Sequence, residues 1–158
     1  MKSKLPLIAA FVAVLGLTAC GGGNSGSSTT AVAAVESPLA LTVTDSVVGT
    51  GAAAAVGTTP TLKYTGWLYV SAGDHKGTQF DTGTINPDGV NSAARFILGA
   101  TSGNRLVAGF DQGVTGMKVG GKRTILIPSG LGYGASGSGT TVPPNSGLVF
   151  DVELTAVN

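Results

Sequence analysis

Along residues 148–155 apolar and polar side chains take turns. Leu148, Phe150, Val152 and Leu154 fall on one side of an extended chain, while Asp151, Glu153 and Thr155 fall on the other. A two-residue repeat sends successive side chains to opposite faces, so this segment reads as a strand with one dry and one wet face, the pattern of antiparallel sheets. Other runs share the period. Leu39, Leu41 and Val43 alternate with Ala40, Thr42 and Thr44. Leu62, Tyr64 and Leu68 alternate with Lys63, Thr65 and Trp67, and Ala94, Phe96 and Leu98 with Arg95 and Ile97. Arg123 to Ile127 is a short strand-like run closed by Pro128. Between these runs the chain is rich in glycine, 26 of its 158 residues, more than twice the usual ~7%, as turns between strands require. One stretch suits a helix, about Val107 to Thr115, where Val107, Phe110 and Val114 form an apolar stripe. Gly109 and Gly113 each cost such a helix about 1 kcal/mol against alanine, so it needs a sheet to pack on, and Gly116 is a suitable stop. The expected class is α+β, an antiparallel sheet cradling one short helix.

The first twenty residues read as an address. Lys2 and Lys4 precede an apolar run from Leu5 to Leu17, too short for a ~20-residue membrane helix but of the length of a secretory signal. The run ends Leu17-Thr18-Ala19-Cys20, which resembles a bacterial lipobox and places the chain's one cysteine where a lipid would be attached. The resemblance implies a diacylglycerol and an acyl chain on Cys20, enough for stable anchoring to a bilayer without spanning it. It implies a place in the cell envelope. Gly21, where an aspartate would retain the protein at the inner membrane, favours the periplasmic face of the outer membrane, with the cell surface also open. Residues 21–30 have flexible-linker composition. The expected organisation is a signal over 1–19, lipidated Cys20 and linker over 20–38, and a folded domain over 39–158.

Composition excludes several function classes. A lone cysteine allows neither an intramolecular disulfide nor a multi-cysteine metal site. Charged residues are 11% of the chain, and the formal net charge is +1. Removal of Lys2 and Lys4 leaves seven basic residues against eight acidic ones, with no basic excess to hold nucleic acid. Two motifs imitate phosphate sites. Gly132 to Gly137 matches a dinucleotide fingerprint, but the glycine- and threonine-rich segment that follows, ending in Pro143 and Pro144, cannot start a helix. Gly116 to Lys122 nearly matches a P-loop, but Arg123 stands where a hydroxyl should hold magnesium and a strand follows. His75, the one histidine, lies in a polar turn and reads as a solvated loop residue, with no serine in a nucleophile elbow to partner it. No metal and no cofactor are expected.

Eight aromatic residues follow the signal, and most lie in distinctive local contexts. These are Lys63-Tyr64-Thr65-Gly66, Gln79-Phe80-Asp81-Thr82, Arg95-Phe96-Ile97-Leu98-Gly99, Leu106-Val107-Ala108-Gly109-Phe110-Asp111-Gln112-Gly113-Val114, Gly132-Tyr133-Gly134, Val142-Pro143-Pro144-Asn145 and Leu148-Val149-Phe150-Asp151. In this order and spacing the chain from Leu39 to Asn158 resembles the FKBP-type peptidyl-prolyl isomerases. The resemblance implies a curved antiparallel sheet of about five strands wrapped over one short helix, with a pocket between them. Tyr64, Phe80, Phe96 and Phe150 would form its walls, and Phe110 its floor, where some members have tryptophan. Leu106 and Val107 would sit at the helix entrance, with the Val107 N–H bonded to a substrate carbonyl. Tyr133 would donate to another carbonyl, Asp81 would sit beside the reacting amide, and Val142 would line the flap. Asp81, Tyr133 and Phe80 would carry catalysis.

The composition suits that task. An X–Pro bond turns slowly because amide resonance sets a barrier of about 18–20 kcal/mol. Turning it breaks no covalent bond, so it needs no nucleophile, metal or cofactor. The resemblance implies proline-containing polypeptides as substrates, exported proteins given the address, and macrolides of the FK506 and rapamycin type as inhibitors. A second reading of the same pocket is a binding or chaperone module with little turnover; Asp81 and Tyr133 favour the enzyme. Ala94 replaces a frequent wall phenylalanine, and the Tyr64–Phe80 and Asp81–Phe96 connections are longer than in the smallest members, which bears on substrate preference and macrolide affinity. A tethered monomer is expected.

Overall fold

The structure, a computed structural model, describes residues 35–86, 96–101 and 106–158. The signal segment, Cys20, the linker through residue 34, and Ala94 and Arg95 lie outside the described residues. Five strands, β1 (Thr42–Val47), β2 (Pro60–Tyr69), β3 (Lys76–Ile85), β4 (Lys122–Ile127) and β5 (Leu148–Val157), form one sheet in the order β1-β4-β5-β2-β3. Every pairing is antiparallel. The segment of strongest alternation, β5, lies at the centre, as a strand buried on one face by its whole length should. Among the described residues one α-helix, α1 (Ala108–Val114), packs on the sheet's inner face.

The helix is short, and its two glycines explain how it is held. A Cβ on Gly113 would lie 2.6 Å from Ile125 Cγ2, and one on Gly109 would collide with Ile127 Cγ2. Residues four apart share a helix face, so the pair makes a flat strip on which β4 lies directly. What reads in sequence as a loss of helix propensity is a condition for close packing. Arg123 ends the helix from below: its Nη1 donates to the Gly113 carbonyl at 2.7 Å and to the Thr115 carbonyl at 3.3 Å. The chain then turns away at Gly116, which has φ +82°. The core between helix and sheet contains Leu62, Leu98, Phe110, Val114, Ile125, Ile127, Leu148 and Leu154, all fully buried.

Several expectations are corrected. The alternating run around Phe96 is not a strand over its described part, residues 96–98. Phe96 and Leu98 are buried, but the backbone of Leu98 bonds the loop at residues 57–58, and Gly99 then turns at φ +77°. The fifth strand is instead β3, whose sequence holds two glycines and an aspartate and whose side chains are nearly all exposed or half-exposed. As an edge strand it has no dry face along its length, and so no alternation to read. At the other edge β1 begins at Thr42, and Leu39, expected on its apolar side, is fully exposed.

Residues 36–38, read as linker, are tied to the domain. The Gly147 N–H donates to the Glu36 carbonyl at 2.8 Å, and the Ser129 N–H to Ser37 Oγ at 2.9 Å. His75 is also more than a solvated loop residue. Its backbone has φ +67°, its ring stacks on Tyr69 at 5.1 Å, and its Nδ1 lies 3.0 Å from the Val70 carbonyl. Both phosphate-like motifs meet the wrong structure: Gly132 to Gly137 leads into a small hairpin closed by Ser138 and Val142, and Gly116 to Lys122 leads into β4.

Candidate active site

Between α1 and the inner face of the sheet the aromatic residues converge. Phe110, 1% exposed, stands at the middle. Phe150 meets its ring edge-on at 5.1 Å, and Tyr64 and Phe96 do so at 6.2 Å. Phe80 meets Phe150 edge-on at 5.6 Å. Edge-to-face contact matches the positive rim of one ring to the negative face of the next, so the cluster holds a fixed shape rather than a loose apolar pile. Val107 and Val142 are buried in the same cluster, and Leu106 and Tyr133 pack against it.

Two devices aim these residues. The first is Gly66 in the interior of β2. A Cβ there would lie 2.8 Å from Phe150 Cε1 and 2.9 Å from Phe80 Cζ, so the missing side chain is the space that both rings use. The second is a bulge in β3. Gly66 pairs with Asp81 and Trp67 with Gln79, which leaves Phe80 without a partner. Consecutive strand residues normally face opposite ways, and the extra residue lets Phe80 and Asp81 both address the inner face.

Asp81 accepts the Tyr64 hydroxyl at Oδ2 (2.8 Å) and the Thr82 N–H at Oδ1 (2.8 Å). The Tyr64 phenol is pushed up to about 12, by burial first and then by its hydrogen bond to the Asp81 carboxylate. The Tyr133 phenol is also raised, again by burial first and then by the charge of Asp81. Both hydroxyls therefore keep their protons at neutral pH and remain donors. Tyr64 spends its proton on Asp81. Among the described residues, the Tyr133 hydroxyl has no hydrogen-bond partner, and neither has the Val107 N–H at the helix entrance. The Val107 carbonyl is used, accepting from the Phe110 and Asp111 amides at 3.0 and 3.3 Å.

The flap is the hairpin in which Ser138 and Val142 exchange backbone hydrogen bonds of 2.9 and 3.1 Å, turning through Gly139 at φ +54°. It carries Val142 onto the aromatic cluster. All ten pocket residues named from the sequence thus lie in one place. Sequence reading gave no role to Gly66, to Asp111, whose carboxylate accepts the Gly99 N–H at 2.9 Å, or to Asn86, which bonds Phe96. A glycine inside an alternating strand signals close approach, so Gly66 was open to detection. The other two act through backbone groups distant in sequence, and no local pattern announces them. No group of three metal-ligating side chains gathers among the described residues. A depression of about 690 Å³ lies on the outer side of the sheet; Lys63, Thr65, Lys76, Thr124 and Asp151 line it together with Tyr64, and none of the phenylalanines does.

Known proteins share this chain's pattern. The family model for the FKBP-type peptidyl-prolyl cis-trans isomerases matches residues 51–155. An FK506-binding protein of Neisseria meningitidis is 40% identical over 117 residues, covering 74% of this chain and 95% of the relative. FK506-binding protein 1 of Gibberella zeae is 42% identical over 106 residues, covering 67% of this chain and 87% of that one. The crystal structure of a peptidyl-prolyl cis-trans isomerase from Pseudomonas syringae superposes with a TM-score of 0.56 at 28% identity, covering 75% of each chain. With a family model matched over most of its folded part and its aromatic cluster assembled on the fold of that family, the chain belongs to the FKBP-type peptidyl-prolyl cis-trans isomerases.

Proposed function

We propose that the pocket over Phe110 binds the proline ring of an X–Pro segment and turns its amide without covalent chemistry. A twisting amide loses resonance and with it part of its charge separation. Its oxygen becomes less negative and its nitrogen more pyramidal, so an apolar, water-poor pocket favours the twisted form over the planar one. That differential binding is what accelerates a reaction. Phe110 is the floor; Tyr64, Phe80, Phe96 and Phe150 are the walls; Leu106 and Val142 close the ends. The Val107 N–H and the Tyr133 hydroxyl hold the substrate's carbonyls so that rotation is confined to the prolyl bond. Asp81 lies beside the reacting amide, oriented by Tyr64 and the Thr82 N–H.

The observation that carries this reading is the pairing of a dry aromatic floor with the unpartnered Tyr133 hydroxyl at its edge. The same pocket takes macrolides of the FK506 type, as the names of the relatives suggest. The substrates are exported polypeptides, whose slow X–Pro steps limit folding. The protein acts as a monomer tethered through lipid on Cys20 in the cell envelope; labelling with a radioactive fatty acid, lost in Cys20→Ser, tests the tether. Exchange NMR on Xaa-Pro peptides, with catalytic amounts of protein, tests the activity. Acceleration that falls in folded Asp81→Ala and Tyr133→Phe variants supports the reading; a folded wild type that leaves the peptides unaccelerated overturns it.

A further inference from the structure

Phe96 is the one wall of the pocket that no strand holds. It is 3% exposed and its ring meets Phe110 at 6.2 Å, yet its backbone belongs to no described strand or helix. Its hydrogen bonds go to one side chain. Asn86 Nδ2 donates to the Phe96 carbonyl at 3.0 Å, and Asn86 Oδ1 accepts the Phe96 N–H at 3.3 Å. The second proton on Nδ2 goes to the Pro60 carbonyl at 2.8 Å, at the start of β2. A carboxamide has the same donor and acceptor as a peptide group, so Asn86 pairs with Phe96 as a neighbouring strand would and ties that pairing to the sheet.

Asn86 is itself fixed. Its own carbonyl accepts the Thr61 hydroxyl at 3.0 Å, and its backbone has φ +51°, a left-handed conformation that asparagine and glycine tolerate best. The geometry suits asparagine alone among common residues of its size. Leucine lacks the polar atoms. Aspartate has only acceptors and would set a carboxylate against two carbonyl oxygens. Longer glutamine would overreach.

We infer that Asn86 is a positioning residue of the prolyl pocket, its carboxamide standing in for a strand and setting the Phe96 wall against the Phe110 floor. The inference rests on the reading of Phe96 as a wall of that pocket. Displacing this one wall leaves the Phe110 floor and the other three walls to favour the twisted amide, while contact with the proline ring is lost in both forms, so the effect belongs mainly in KM rather than in kcat.

The test uses Asn86→Gly, which keeps the φ and removes the carboxamide, and Asn86→Asp, which keeps the shape and removes the donors. NMR of the Phe96 ring, which lies within the ring-current field of Phe110 at 6.2 Å, reads the position of the wall without any substrate. Kinetics on an Xaa-Pro peptide read the consequence. Expected are a displaced Phe96 ring in both variants and a faster-exchanging Phe96 amide in Asn86→Gly, which also loses the acceptor, with KM raised about five- to tenfold and kcat nearly kept. In a Phe96→Ala background Asn86→Gly should add little to KM, the coupling that a shared path demands. An unmoved Phe96 ring, or a KM effect that simply adds to that of Phe96→Ala, overturns the inference. If one variant fails to fold, the other still reads the ring and KM. A displaced ring with KM unchanged shows the pocket reading of Phe96 to be wrong, and overturns the role in binding while leaving the tie itself visible.

Discussion

The sheet's two faces are made from alternate residues of the same strands and could hardly differ more. On the inner face Leu62, Tyr64 and Gly66 of β2 stand opposite Leu154, Val152 and Phe150 of β5. On the outer face Lys63 and Thr65 stand opposite Glu153 and Asp151. The outer groups bond one another: Lys76 Nζ to Asp151 at 2.7 Å, the Thr124 hydroxyl to Asp151 at 2.7 Å, and Lys122 to Glu153 at 3.6 Å. Trp67, the chain's one tryptophan, lies on this side with the Lys76 ammonium 4.9 Å from its ring centre. In the outer depression Lys76 and Lys122 are paired with Asp151 and Glu153. The inner face instead gathers the rings of Tyr64, Phe80, Phe96, Phe110 and Phe150, with Phe96, Phe110 and Phe150 buried. Size does not make a site; an apolar floor with one or two spare donors does.

If the faces differ in this way, substitutions should separate them. Phe110→Ala removes the centre of the inner cluster and should cost about 3–5 kcal/mol in a denaturant titration, together with most of the isomerase activity. Gly113→Ala is the sharper case, because propensity and packing disagree in sign. Alanine favours a free helix by about 1 kcal/mol, whereas the contact with Ile125 should make this variant less stable than wild type by about 1–3 kcal/mol. A stabilised Gly113→Ala would break the account of the helix. Tyr64→Phe removes the hydroxyl that orients Asp81; about 1 kcal/mol of stability should go, and activity should fall further than stability does.

The same tyrosine gives a pH dependence. Its phenol titrates at about 12 in the folded chain against an ordinary 10.0, so the unfolded chain releases its proton first. That contribution to stability is complete below pH 10 and is lost as the pH rises toward 12, a loss that Tyr64→Phe should reduce. The smallest effect belongs to the outer face. Glu153→Gln, which unties an exposed pair, should change stability by under about 1 kcal/mol and leave isomerisation unaltered.

How much of this was legible follows from where each element lies. The central strand β5, the inner side of β2 and the apolar stripe of α1 each meet the core along one face, and burial leaves a period in the sequence. The aromatics that gather around Phe110 were singled out only through the family resemblance of their local contexts. The strand β3 left no such mark, since an exposed edge with a bulge satisfies no period, and yet it supplies Phe80 and Asp81. Phe96 and Leu98 produced the opposite error: side chains alternately buried and exposed, on a backbone held by Asn86 and by the loop at residues 57–58. Gly109 and Gly113 were read by propensity, a property of the isolated helix, when their reason is the distance to β4. The missed features all depend on partners remote in sequence.

The central claim is that a proline-containing chain is handled on the inner face. It is tested most directly by titrating an Xaa-Pro peptide into isotope-labelled protein and mapping the shifted NMR signals. Shifts at Phe80, Phe96, Phe110, Tyr133 and Val142, with Thr65, Trp67, Thr124 and Asp151 unmoved, are the predicted result. Shifts concentrated on Lys63, Thr65, Thr124 and Asp151, with the Phe110 signals unchanged, would contradict it and move the site to the outer face.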